Sequence, residues 1–115
     1  MNIEQVYEAA GADYAEAIAR LGKPERVQKF ALKLPKDDSM ANLRAAVESG
    51  DVATSFRMAH TLKGVAGNLS FTALYQAASD LTEQLRPQEA PADPALMEAV
   101  ERAYARTISA LEALD

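Results

Sequence analysis

Apolar residues along this chain recur at three- and four-residue intervals, the spacing that gathers them on one side of an α-helix. Ala15, Ile18, Ala19 and Leu21 form the first such stripe, with Asn2 or Asp13 as its N-cap and Gly22 as its stop. Pro24 opens a second helix over 25–34, where Val27, Phe30, Ala31 and Leu34 repeat the period. Pro35 bends or interrupts this element, because its ring removes a backbone donor and clashes with the preceding turn; the pattern leaves kink and break both open. Met40, Leu43, Ala46 and Val47 make the next stripe, which ends at Ser49-Gly50.

Asp51 is a natural N-cap for a helix over 52–69, and Ser70 is the expected cap of the one that follows. Leu74, Ala77, Ala78, Leu81 and Leu85 carry that helix to Pro87. The segment RPQEAPADP holds three of the five prolines and reads as a connecting loop. Asp93-Pro94 then supplies a cap and first turn for 96–114, periodic in Val100, Ala103, Tyr104, Ile108 and Leu111. Four amphipathic helices after residue 24, joined by short connections, pack most economically as an antiparallel up-and-down four-helix bundle. The expected fold is all-α, with an additional N-terminal helix laid against that bundle. At 115 residues the chain suffices for one core, so 1–115 is read as a single domain.

Composition narrows the chemistry. Aromatics are only 6 % and Trp is absent, while Ala and Leu are abundant, which suits packed helices. The absence of Cys excludes disulfides, thiol redox chemistry and thiolate metal sites, and it fits a reducing compartment, so a cytoplasmic location is expected. The opening MNIEQVYEAAGADYAEA has neither the basic start nor the apolar run of a secretory signal. No stretch approaches the roughly 18 apolar residues of a membrane span, so no membrane partner is expected. A net charge of −5 argues against nucleic acid as a partner.

The helix over 52–69 contains the only histidine, His60, and two of the five glycines. At about 100° per residue, Val52, Phe56, Ala59, Leu62, Ala66 and Leu69 share one arc, the expected core face. His60, Lys63, Gly64 and Gly67 fall on a second arc centred about 110° away, which sets the imidazole at the edge of the solvent side. Each glycine inside a helix costs about 1 kcal/mol relative to Ala. Bare backbone beside the histidine would let another protein approach the ring closely; close helix packing or fraying of the helix end are the alternatives. A free imidazole titrates near about pH 6.5, so at neutral pH much of it has a nitrogen lone pair able to capture a phosphoryl group. A lysine one turn on would offset the charge acquired. Spacing alone leaves His60 an ordinary surface histidine and Lys63 a solvated charge.

The string AHTLKGVAGNLS, from Ala59 to Ser70, resembles the signature of the histidine-containing phosphotransfer (HPt) domain family of two-component phosphorelays. That family carries a His, an apolar residue, a Lys-Gly pair and small residues inside the second long helix of a four-helix bundle. His60, Leu62, Lys63, Gly64, Ala66, Asn68 and Leu69 match, and the order and spacing of elements from about Asp13 to Arg86 are similar. The resemblance implies that His60 is the phosphorylated residue, Lys63 stabilises the phosphoryl group and Gly64 keeps access open. The chain departs from the family at Ser70-Phe71, where a Gly and a small residue are frequent. Gly67, Asn68 and Phe71 are the expected partner contacts, Phe71 lying on or near the exposed face; a core or loop-packing aromatic is its alternative.

The resemblance further implies a phosphorelay intermediate that takes a phosphoryl group from an aspartyl-phosphate receiver domain and passes it to another response-regulator receiver. Receivers and a hybrid histidine kinase are the implied partners, and a monomer is expected. No cofactor is expected on this chain: it shows no clustered carboxylates for Mg²⁺, which is therefore expected on the partner receiver. No glycine-rich nucleotide loop, Walker motif or kinase signature is present, so a phosphoryl carrier without kinase activity is expected. A hydrolytic Ser-His-Asp arrangement lacks a nucleophile elbow, and one His without Glu-x-x-His cannot build the usual zinc or di-iron ligand set. The rival class is a non-catalytic helical docking module for a signalling partner.

Overall fold

Asn2 and Asp13 each cap a helix of their own, so the N-terminal helical region is two short helices rather than one. Asn2 forms a reciprocal capping box with Gln5, and Asp13 accepts from the Glu16 N–H at 2.9 Å. The computed structural model describes residues 1–115 as α1 (Ile3–Ala9), α2 (Tyr14–Leu21), α3 (Pro24–Ala31), α4 (Ser39–Ser49), α5 (Val52–Asn68), α6 (Thr72–Leu85) and α7 (Pro94–Glu112), with no strand. Pro35 sits in a 3₁₀ turn, Leu34–Lys36, after α3 has already ended at Ala31. It therefore breaks the helical path rather than kinking it, and α4 starts afresh at Ser39.

The long helices form the expected antiparallel bundle. α5 packs on α4 and α6, and α6 packs on α7. The α4–α7 side is spanned by Arg44, whose guanidinium donates to both Glu101 carboxylate oxygens at 2.7–3.0 Å and lies 5.4 Å from the Tyr104 ring centroid. The core draws Ala59, Leu62, Ala66 and Leu69 from the His60 helix, against Leu43 of α4, Leu74, Ala78, Leu81 and Leu85 of α6 and Val100 and Leu111 of α7. Val52 and Phe56, expected on the same face, are only half-buried. Ser55 is buried instead, its hydroxyl donating to the Asp51 carbonyl at 2.8 Å, so it enters the core with its polar atom satisfied. No helix is long and apolar enough to cross a membrane.

A helix leaves its last carbonyls without intrahelical partners. At the end of α5 these are met from the N-terminal segment. Arg20 Nη1 donates to the Gly67 and Asn68 carbonyls at 2.6 and 3.0 Å, the Tyr7 hydroxyl donates to Leu69 O at 2.7 Å, and the Asp13 N–H donates to Ser70 O at 3.0 Å. Burial holds the Tyr7 hydroxyl above its ordinary titration range and so keeps it a donor. Ser70 does not cap α6: its φ is +58°, its hydroxyl donates to Glu16 Oε1 at 2.8 Å and accepts from Arg20 at 3.1 Å, and Phe71 occupies the N-cap position. The serine is taken by the clasp between α2 and α5. Arg20→Ala should therefore lower stability by about 1 kcal/mol, because the guanidinium is partly exposed and its bonds to the carbonyls are discounted accordingly. Urea unfolding checks this, and an unmoved midpoint would show that the clasp is dispensable.

Candidate functional site

The site is built on the outer face of α5. Asp51 starts the helix by accepting from the Thr54 N–H and hydroxyl at 3.0 and 2.7 Å, bonds that hold its carboxyl below the usual carboxylate range. Burying Ala59 and Leu62 on the core side fixes the rotation of the helix and leaves His60 exposed. The imidazole centroid lies 6.1 Å from that of Phe56, one turn earlier, with the rings tilted by 46°. Lys63, one turn later, is half-buried, with its ammonium 5.9 Å from the Tyr75 ring centroid of α6.

The two glycines have different physical reasons. A Cβ at Gly64 would meet nothing within 4 Å, and its φ is not in the left-handed region. Neither packing nor backbone conformation inside the chain calls for a glycine there. A Cβ at Gly67 would stand 3.2 and 3.3 Å from the Tyr75 ring carbons, so this glycine makes room for Tyr75 to lie on α5. Gly67 itself remains half-exposed. Asn68 is exposed at the end of the helix.

Phe71 corrects the sequence expectation. It is fully buried, stacked on Tyr7 with ring centroids 5.0 Å apart at 28°, and cannot touch a partner from the closed bundle. The reason lies in α1, which brings Tyr7 over the α5–α6 junction. Phe71 and Tyr7 fill this space as an aromatic pair.

Two charged residues near His60, Glu83 and Arg86, belong to no motif in the sequence. Gly67 against Tyr75 and Phe56 against Arg86 define the antiparallel register of α5 and α6, and that register sets the buried Thr82 opposite His60 with the exposed Glu83 next to it. Arg86 places its guanidinium 5.4 Å from the Phe56 ring centroid and donates to both Glu83 oxygens at 2.9 Å. These bonds hold the Glu83 carboxyl below the usual range, with smaller contributions from the charges of Arg86, Lys63 and His60. Opposite charges three residues apart on α6 were the only sequence mark of this pair.

A groove of about 490 Å³ lies beyond the glycines, lined among others by Glu16, Arg20, Asn68, Ser70 and Tyr75. Its Glu16, Arg20 and Ser70 side chains already satisfy one another, so it is the outer rim of the α2–α5 clasp rather than part of the His60 surface.

The family model for the Hpt domain matches residues 25–113. No curated protein and no solved structure matches the chain at a significant level. The match takes in nearly all of α3 and the whole of α4–α7, with His60, Lys63 and Gly64, and it leaves α1 and α2 outside. With its helical bundle, an exposed histidine on the second bundle helix and a family match over most of its length, the chain belongs to the Hpt domain family, whose role is histidine phosphotransfer in phosphorelays.

Proposed function

We propose that this protein is a phosphoryl carrier, accepting the group on a ring nitrogen of His60 from an aspartyl phosphate of one receiver domain and delivering it to another receiver. In the first step an imidazole lone pair attacks phosphorus; the P–N bond forms as the aspartyl P–O bond breaks, and the receiver keeps a free carboxylate. The return step reverses this on the second receiver. Such transfer needs positioning and charge neutralisation more than covalent chemistry from the protein. Lys63 supplies a compact cation one turn from His60, resting over Tyr75 and free of any carboxylate partner. Asn68 lies at the rim of the face a receiver would cover. In this reading the carrier is a cytoplasmic monomer, has no kinase activity of its own, and meets Mg²⁺ only as the partner receiver's metal.

The observation that carries the proposal is Gly64. A helical glycine with open space beyond it lowers stability by about 1 kcal/mol relative to Ala, and nothing in the chain uses the room. The room serves something from outside that must come close to His60. Gly64→Ala should accordingly raise stability by about 1 kcal/mol in urea unfolding. Gly64→Gln should slow transfer while helix content by circular dichroism stays nearly unchanged. Transfer at the wild-type rate with Gln at this position would remove the access role.

The direct test incubates the protein with a panel of phosphorylated receiver domains. The expected product is an acid-labile, alkali-stable phosphoryl label on this chain that a second receiver can remove. Absence of label with every receiver would overturn the proposal in favour of a docking module.

A further inference from the structure

We propose that the Glu83–Arg86 pair on α6 sets how long His60 holds a phosphoryl group, with Arg86 favouring retention and Glu83 favouring release. The inference rests on His60 being the phosphorylated residue. Its basis is the helix register: pairing Gly67 with Tyr75 at one end and Phe56 with Arg86 at the other sets the buried Thr82 opposite His60, with Glu83 next to it on the exposed side. Phe56 links the two groups, with its ring centroid 6.1 Å from that of the imidazole and 5.4 Å from the Arg86 guanidinium carbon.

The arginine is held on standby. Its bidentate bonds to Glu83, both 2.9 Å, join two side chains that are each about half-exposed, and a surface pair of this kind is weak enough to open. A phosphoryl group brings up to about two negative charges and several acceptor oxygens to His60. The planar guanidinium fork matches such oxygens as well as it matches a carboxylate, so the phosphoryl group competes with Glu83 for it. Glu83 opposes the same group through like-charge repulsion. The Arg86 bonds hold the Glu83 carboxyl below its usual range, and the charges of Lys63 and His60 add to this in a smaller way. A carrier has to release what it takes up, and one residue of each sign beside the acceptor balances capture against delivery. Lys63 stands one turn from the histidine on its own helix, while Glu83 and Arg86 belong to the end of the neighbouring one.

The test removes the receiver. Phosphoramidate phosphorylates imidazole directly: the ring nitrogen attacks phosphorus, the donor P–N bond breaks and ammonia leaves. Loss of the label is then followed by ³¹P NMR as water attacks phosphorus, the His60 nitrogen departs with a proton and inorganic phosphate is formed. Arg86→Ala should shorten the phosphohistidine lifetime about two- to fivefold, and Glu83→Gln should lengthen it by a similar factor. Arg86→Lys should restore part of the lifetime. Both main substitutions break the same ion pair, so a merely structural role would move the two lifetimes in the same direction. Equal lifetimes in all variants, or shifts of the same sign, overturn the proposal while leaving His60 as the acceptor. Phosphorylation of a His60→Gln variant, or no phosphorylation of the wild-type chain, locates the failure in the assignment of His60, and the present inference falls with it.

Discussion

Replacing His60 with Gln is expected to abolish phosphoryl uptake from receivers and from phosphoramidate alike, with the thermal transition left in place. The amide nitrogen of glutamine donates its lone pair into the carbonyl and is not a nucleophile, whereas its length and polarity resemble those of the side chain removed. His60 is exposed, and surface substitutions of this kind alter stability by no more than about 0.5 kcal/mol. Loss of label can then be assigned to chemistry rather than to unfolding, provided circular dichroism melts of the two proteins coincide. Persistent acid-labile label on the variant would mean that the phosphoryl group sits elsewhere, since this is the only histidine in the chain.

Phe71→Ala should have the largest effect on folding, lowering stability by about 3–5 kcal/mol. The side chain is fully enclosed, and its removal would leave a cavity beneath Tyr7, whose ring it stacks on at 5.0 Å. Small domains have total stabilities of about 5–15 kcal/mol, so the loss is a large share. Tyr7 also supplies the hydroxyl that caps Leu69 O, so the damage should reach the end of the His60 helix. Urea unfolding followed by far-ultraviolet circular dichroism measures the effect. A midpoint equal to that of the wild type, combined with weaker receiver binding, would return Phe71 to the surface as a partner contact.

Much of the helical plan was readable because its signals are local. Asp51 and Asp93 cap the helices they were expected to cap, and the periodic stripes on α5, α6 and α7 pack on the core, with Val52, Phe56, Ala77, Ala103, Tyr104 and Ile108 half-buried at its edge. The position of His60 off the core arc follows from the same periodicity, since burying Ala59 and Leu62 leaves the intervening histidine outside. Its chemistry was legible from the HTLKG run and its neighbours, where one turn of helix carries nucleophile, cation and open backbone together. Pro35 shows the boundary of such reasoning. Its ring forbids a regular helix through residue 35, yet kink and break both satisfy that restriction, and only the folded chain shows the break, with α3 ended at Ala31 and a 3₁₀ turn at Leu34–Lys36.

The amino-acid sequence by itself therefore determined the helices, their buried faces and the residue that presents its nitrogen to solvent, because each depends on neighbours within four positions. The tertiary structure alone decided which glycine is left open and which is filled by Tyr75, that Phe71 faces inward, that Arg20 and Tyr7 close the end of α5, and that Glu83 and Arg86 stand near His60. Those outcomes depend on the register and docking of separate helices. Side chains many residues apart meet only after the bundle has closed, and no local periodicity encodes how far one helix slides along another.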